Sequence, residues 1–274
     1  MPETLQSFYL GRPLNFAHRG ASHEAPENTL AAFLLAAELG ADGIELDVQL
    51  SKDGELVVIH GFTLESTTDG QGPVQDKTLA ELKELDAGTW FDPVFAGLRI
   101  PTLQEVIETV GHRLLLNIEL KTNGLRNDGL AAATVHILED NHLLNRVVVS
   151  SFNPIVLQRV RRLNPWIGLG LLYAPDVPII LRRPWFRHLL RPEALHPHYS
   201  MVDDRYVAWA RKRGYRINTW TVDDPGQMWQ LMRQGVDTII TNRPDLLKQV
   251  LLTGPGRERP SAGHLSSMPH GKGE

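Results

Sequence analysis

Nine short apolar runs alternate with helical patterns along most of the chain, and this alternation constrains the fold more than any other feature. The runs are LNFAH (14–18), GIELDVQL (43–50), ELVVIH (55–60), LLLNIEL (114–120), RVVVSSF (146–152), IGLGLLY (167–173), ALHPH (194–198), RINTWTV (216–222) and DTIITN (237–242). Helical patterns such as ENTLAAFLLAAELG, NDGLAAATVHILEDNH, NPIVLQRVRRLN and DDRYVAWARKRG lie between most of them. The first is capped by Asn28 or Thr29 and stops at Gly40. Strands alternating with helices pair in parallel, so the expectation is α/β: a TIM-type (β/α)8 barrel. Nine runs exceed eight by one. The turn signal SKDG (51–54) folds the second and third runs into a hairpin. With residues 53–54 at its tip, His60 falls opposite roughly Glu45. Residues 61–102 are too long for a barrel connection and read as a small inserted cap after the second barrel strand.

At 274 residues, the chain suits one large domain of this kind. A net charge of −4 gives no case for a nucleic-acid partner. The absence of cysteine excludes disulfides and thiolate chemistry, so any metal must be held by oxygen or imidazole. The start MPETLQSFYLGRP lacks a basic stretch followed by an apolar one, and no apolar run is long enough to cross a bilayer. A cytoplasmic enzyme with no stable membrane anchor is therefore expected. No feature of the sequence fixes an oligomeric state. The tail, residues 254–274, is rich in Gly, Pro and Ser and is expected to be disordered.

In parallel α/β folds the carboxyl ends of the strands carry the chemistry. His18 and Arg19 end the first run, Glu45 and Asp47 lie on the second, His60 closes the hairpin arm, and Glu119 and Lys121 belong to the fourth. Residues two apart on a strand share a face. Three carboxylates on an inward face are costly unless compensated, and a divalent cation is the simplest compensation. An all-oxygen set suits Mg²⁺, Ca²⁺ or Mn²⁺. Taken singly, each of these features reads as a surface ion pair or a structural histidine; together they read as a site. Of the eleven histidines, His18 and His60 are assigned function, and His196 and His198 are ranked behind them as candidates for lining the mouth. Trp90, Trp166, Trp185, Trp209 and Trp229 read as packing. Residues 178–191 hold Arg182, Arg183, Arg187 and Arg191 among apolar side chains. They read as a basic helix packed on the barrel, broken by Pro178, Pro184 and Pro192, with a membrane-facing segment as the alternative.

The ordered set HRG (18–20), PENT (26–29), IELDVQLSKDG (44–54), VVIH (57–60), TTDG (67–70), IPTLQEV (100–106), NIELK (117–121), SSFN (150–153), NTWTV (218–222) and IITNRP (239–244) resembles the glycerophosphodiester phosphodiesterase family, a group of phospholipase-C-like barrels. The resemblance implies one barrel domain over residues 1–253. It also implies a divalent metal and hydrolysis of glycerophosphodiesters, such as glycerophosphocholine or glycerophosphoethanolamine, to sn-glycerol 3-phosphate and an alcohol. Carried over, it puts the acid/base histidines at His18 and His60 and the metal carboxylates at Glu45, Asp47 and Glu119. Arg19 and Lys121 take phosphate-facing positions, and Trp220 the aromatic position near the glycerol. The chain departs from the usual pattern at Gly61, Ser66 and Asn242, where the family commonly has Asp, Arg and Asp. The rival readings are a lysophospholipid-acting enzyme of the same barrel group and a non-catalytic barrel that binds a phosphorylated ligand.

Overall fold

The computed structural model describes residues 8–122, 124 and 128–253. Its strands are β1 (Leu14–His18), β2 (Gly43–Leu50), β3 (Leu56–Val58), β4 (Leu115–Leu120), β5 (Val147–Ser151), β6 (Gly168–Tyr173), β7 (Ala194–Pro197), β8 (Arg216–Thr219) and β9 (Thr238–Thr241). Its helices are α1 (Leu30–Leu39), α2 (Leu79–Glu84), α3 (Leu103–Val106), α4 (Leu130–Asp140), α5 (Pro154–Leu163), α6 (Arg187–Leu190), α7 (Asp204–Lys212), α8 (Pro225–Gln234) and α9 (Pro244–Thr253). Eight strands pair in parallel, and the β1–β2 pairing closes them into the expected barrel. The ninth, β3, pairs antiparallel with the outer half of β2.

That hairpin forms as expected, with His60 within one residue of the expected position. Leu50 faces Leu56 and Gln49 faces Val57, so the pairing extrapolates to His60 opposite Leu46 rather than Glu45. The cause is a three-residue loop: Ser51 N–H donates to Glu55 O, and Gly54 takes the left-handed conformation, φ 89°.

Side-chain alternation decides what enters the barrel. Ile44, Leu46 and Val48 of β2 and Leu116, Ile118 and Leu120 of β4 join the main core beneath the helices. The intervening Glu45, Asp47 and Glu119 therefore face the interior. Phe8 and Tyr9 fill the amino-terminal end, packing with Leu14, Phe16, Leu115, Val148 and Ile240. Above them Asn218 Nδ2 donates to Tyr9 Oη at 3.1 Å and lies 3.0 Å from His196 Nε2. His196 is thus enclosed in the barrel rather than lining its mouth.

Residues 61–102 gather a second small core of Leu64, Val74, Leu82, Ala87 and Ile100 against Val57 and Ile59 of the hairpin. Its helix α2 starts at a reciprocal cap between Thr78 and Glu81. Residues 178–191 form no continuous helix; the buried Leu190 and the partly buried Phe186 anchor them, while Ile179, Trp185 and Leu189 are exposed. Trp209 and Trp229 pack against the core as expected, but Trp90, Trp166 and Trp185 keep 42%, 58% and 57% of their surface. Among the described residues no helix is long and apolar enough to cross a membrane. The tail from Gly254 lies outside the described residues.

Candidate active site

Three neighbouring barrel strands, β1, β2 and β4, deliver the acidic and basic side chains to one place. His18 pairs in register with Glu45, and Asp47 with Glu119. Glu45, Asp47 and Glu119 each offer a carboxylate oxygen, and the three lie within 4.8 Å of one another. His18 Nε2 stands 3.9 Å from Glu45 Oε2. Lys121 Nζ reaches Glu119 at 3.3 Å and Asp47 at 3.6 Å. His60 borders the cluster from the hairpin arm; Gln49 holds the backbone around it by donating Nε2–H to Ile59 O at 2.9 Å and to Gly61 O at 2.7 Å.

The His18-Arg19-Gly20 turn is strained and held in place. Arg19 has φ 55°, rare for a residue with a side chain. Its N–H donates to Glu45 O at 2.9 Å, Nη1 donates to both oxygens of Glu27 at 3.0 Å, and Nε lies 3.2 Å from Asp47 Oδ2. Gly20 has φ 85°, and a Cβ there would sit 2.7 Å from Ala32 of α1, so only glycine lets the turn pack. The guanidinium of Arg19 is therefore hydrogen-bonded to Glu27 through Nη1 and ion-paired with Asp47 beside Nε, while neither Nε nor Nη2 makes a hydrogen bond among the described residues.

Electrostatics divide the carboxylates. Burial, then repulsion from Asp47 and Glu119, pushes the Glu45 pKa well above the usual carboxyl range. Burial raises Glu119 as well, to about 7, with Lys121 opposing and Asp47 adding to the rise. Burial would lift Asp47 too, but Arg19 and Lys121 together hold it below its ordinary value. Burial lowers His18 and His60 to about 4 each, with the Arg19 charge adding to the effect. Three convergent, like-charged oxygen donors that resist ionising together fit a small hard divalent cation.

Several roles escaped the sequence reading. Thr29, not Asn28, caps α1, accepting from Ala32 N–H. Asn28, at φ 57°, instead donates Nδ2–H to Asp47 Oδ2 at 2.9 Å and accepts from Asp47 N–H at 3.3 Å. Behind His18 stand Asn242 and Asp223. Glu27 and Gln49 carry no signal beyond their polarity in an ordered motif. Gly61 is tightly placed: a Cβ there would sit 2.7 Å from Thr63 O. Trp220 follows β8, with Nε1–H donating to His196 O at 2.9 Å and its ring edge-on to Phe152 and His198.

Residues 18–246 match the Glycerophosphoryl diester phosphodiesterase family. A glycerophosphodiester phosphodiesterase of Caldanaerobacter subterraneus is 45% identical over 247 residues, covering 89% of this chain and 99% of that one. A glycerophosphodiester phosphodiesterase of Bacillus subtilis is 34% identical, covering 87% and 86%. Among solved structures, an Oleispira antarctica phosphodiesterase in complex with the product sn-glycerol-3-phosphate superposes with a TM-score of 0.82 at 35% identity, covering 91% and 99%. With its barrel and its ordered motifs, the chain belongs to the glycerophosphoryl diester phosphodiesterase family.

Proposed function

We propose that this chain, a glycerophosphodiester phosphodiesterase, cleaves substrates such as glycerophosphocholine or glycerophosphoethanolamine to sn-glycerol 3-phosphate and an alcohol. The observation that carries the reading is one cluster: Glu45, Asp47 and Glu119 within 4.8 Å, with His18 Nε2 3.9 Å from Glu45. Those three carboxylates would hold one divalent cation, Mg²⁺, Ca²⁺ or Mn²⁺. When bound, it supplies positive charge against the charge that develops on the phosphoryl oxygens.

The remaining work falls to the chain's own side chains. Lys121 and the free arm of Arg19 offer donors to the non-bridging oxygens, the first as a point charge and the second through a planar fork. His18 and His60 stay neutral near pH 7 because burial lowers both pKa values to about 4. One neutral imidazole can accept the proton of the attacking hydroxyl, and that same proton can pass through the partner imidazole to the leaving alcohol, so both rings end the step neutral. The Trp220 ring supplies an apolar wall for the glycerol carbons. A purely binding role would not need two neutral histidines beside a carboxylate cluster.

The test is release of sn-glycerol 3-phosphate from glycerophosphocholine by the purified full chain, with and without chelator. Lysophosphatidylcholine serves as the comparison substrate. Metal-dependent release from glycerophosphocholine supports the reading. Turnover of lysophosphatidylcholine alone, or binding without turnover of either, would replace it with one of the two rivals.

A further inference from the structure

One hydrogen-bond chain in the site runs away from the carboxylate cluster. His18 Nδ1 lies 2.7 Å from Asn242 Oδ1. Asn242 Nδ2–H donates to Asp223 Oδ2 at 2.7 Å. The other oxygen, Asp223 Oδ1, accepts from Asn242 N–H at 2.8 Å and from Thr241 Oγ1–H at 2.9 Å. Thr241 Oγ1 in turn accepts from Arg243 N–H at 3.0 Å, so its own proton is available to Asp223. Ser22 Oγ–H also donates to Asn242 Oδ1, at 2.8 Å.

The direction of this chain is set from its far end. An ionised carboxylate can only accept hydrogen bonds, so the Asn242 group turned toward Asp223 must be its NH₂. Its carbonyl oxygen is then the atom facing His18, and that oxygen can only accept. His18 Nδ1 must therefore carry a hydrogen. Such a ring has its free lone pair on Nε2, the nitrogen that faces Glu45.

We propose that Asp223 is a positioning residue: working through Asn242, it holds His18 as the Nδ1–H tautomer, so that every proton His18 exchanges passes through Nε2 on the carboxylate side. Its consequence for rate rests on the proton-transfer role proposed above for His18; the tautomer itself does not. The β1–β9 pairing explains why this arrangement is available. Ala17 is in register with Thr241, which places Asn242 beside His18, while Asp223 leaves the end of the neighbouring β8 region.

Swapping the two groups tests the direction of the chain. In Asp223→Asn, the new amide keeps its oxygen for Thr241 Oγ1–H and Asn242 N–H and must turn its NH₂ toward Asn242. Two NH₂ groups then face each other, and Asn242 relieves this by rotating its amide. Its NH₂ now meets His18 Nδ1, and the ring switches to Nε2–H. In the double variant Asp223→Asn with Asn242→Asp, every donor meets an acceptor again, and Nδ1–H returns.

The readout is the long-range ¹H–¹⁵N spectrum of histidine-labelled full-length protein in Mg²⁺, with His18→Ala assigning the ring. Expected are Nδ1–H in wild type, Nε2–H in Asp223→Asn, and Nδ1–H in the swap. For Asp223→Asn, kcat should fall roughly 10- to 100-fold with little change in KM, and the swap should recover most of it. An Nε2–H ring in wild type would overturn the proposal. So would an unchanged tautomer in Asp223→Asn; an unchanged kcat there, with His18→Ala inactive, would overturn the positioning role. Should that single variant fail to fold, the wild-type spectrum and the swap still decide. Should His18→Ala keep full activity, the role of His18 fails while the tautomer assignment stands or falls on its own spectrum.

Discussion

Asp47 of β2 and Glu119 of β4 are register partners on adjacent parallel strands, and Lys121 reaches both. Parallel neighbours on one face are separated by about one strand spacing, ~4.8 Å, so two carboxylates in register converge without any loop to position them. Glu45, two residues earlier on the same face, completes the set. Chelation should therefore reduce turnover to background, with Mg²⁺, Ca²⁺ or Mn²⁺ restoring it. Glu119→Gln should raise the metal concentration for half-maximal rate on the order of tenfold or more, because affinity at such sites follows ligand charge. Full activity after exhaustive chelation, with no metal by elemental analysis, would refute this.

His18→Ala and His60→Ala should each lower kcat by about two to four orders of magnitude, the usual loss of a general acid or base. His18 is fixed by Asn242, while the His60 ring takes no hydrogen bond among the described residues. The two variants should therefore differ in rescue: added imidazole reaches the position of His60 more readily. Near-wild-type kcat in either folded variant would remove that residue from the chemistry.

Asn28 tests the support of Asp47. Asn28→Ala deletes two hydrogen bonds to a buried carboxylate residue and forces alanine to φ 57°. A loss of about 1–3 kcal/mol is expected from the unsatisfied groups, measured by urea unfolding. Asn28→Gly loses the same bonds but tolerates the conformation, and should be about 1 kcal/mol more stable than the alanine variant. Equal stability of the two would mean that the backbone is not strained there.

The barrel was legible because its signals are local and repeated: each strand run ends near a turn or cap residue, and Thr29 and Gly40 bracket α1 as their types dictate. The acidic cluster was legible for a related reason. Period two on Glu45-Asp47 and on Glu119 places them inward once the neighbouring Ile44, Leu46 and Ile118 claim the outer core. What could not be read is whatever depends on a contact across the barrel. Asn28 looks like one more capping residue until its left-handed backbone turns the amide onto Asp47. Asn242 and Asp223 lie on different segments, and nothing local joins them to His18. The hairpin register could be placed only roughly, because SKDG is compatible with a two-residue or a three-residue loop, and the left-handed Gly54 goes with the latter.

The enclosed His196 makes a pH prediction independent of the carboxylate cluster. It is fully buried beside Asn218, and burial lowers its pKa to about 3. The unfolded chain binds a proton there below about pH 6.5, while the folded barrel does not until near pH 3. The stability it contributes by staying neutral is present above pH 6.5 and is lost as pH falls toward 3. His196→Gln keeps a partner for Asn218 and removes the titration. Its stability should decline less steeply than wild type over that window, by up to about 1.4 kcal/mol per pH unit. Parallel pH profiles for the two proteins would show that His196 takes its proton without unfolding the barrel.

The last prediction concerns which oxygen attacks the phosphorus. In a glycerophosphodiester the 2-hydroxyl of glycerol lies next to the scissile phosphate, and an internal attack gains the advantage of an intramolecular reaction. His18 and His60 suit such a two-step route: the imidazole that protonates the leaving alcohol in the first step can deprotonate water in the second, when the cyclic phosphate opens. Direct attack by water would call on the same side chains, so the substrate must decide. A 2-deoxy analogue of glycerophosphocholine keeps the phosphodiester and the choline but lacks the internal nucleophile. It should inhibit competitively and resist cleavage, while the normal substrate passes through a transient cyclic phosphate visible by phosphorus NMR. Cleavage of the deoxy analogue at a comparable rate would assign the first attack to water, and the two histidines would then act once each in a single displacement.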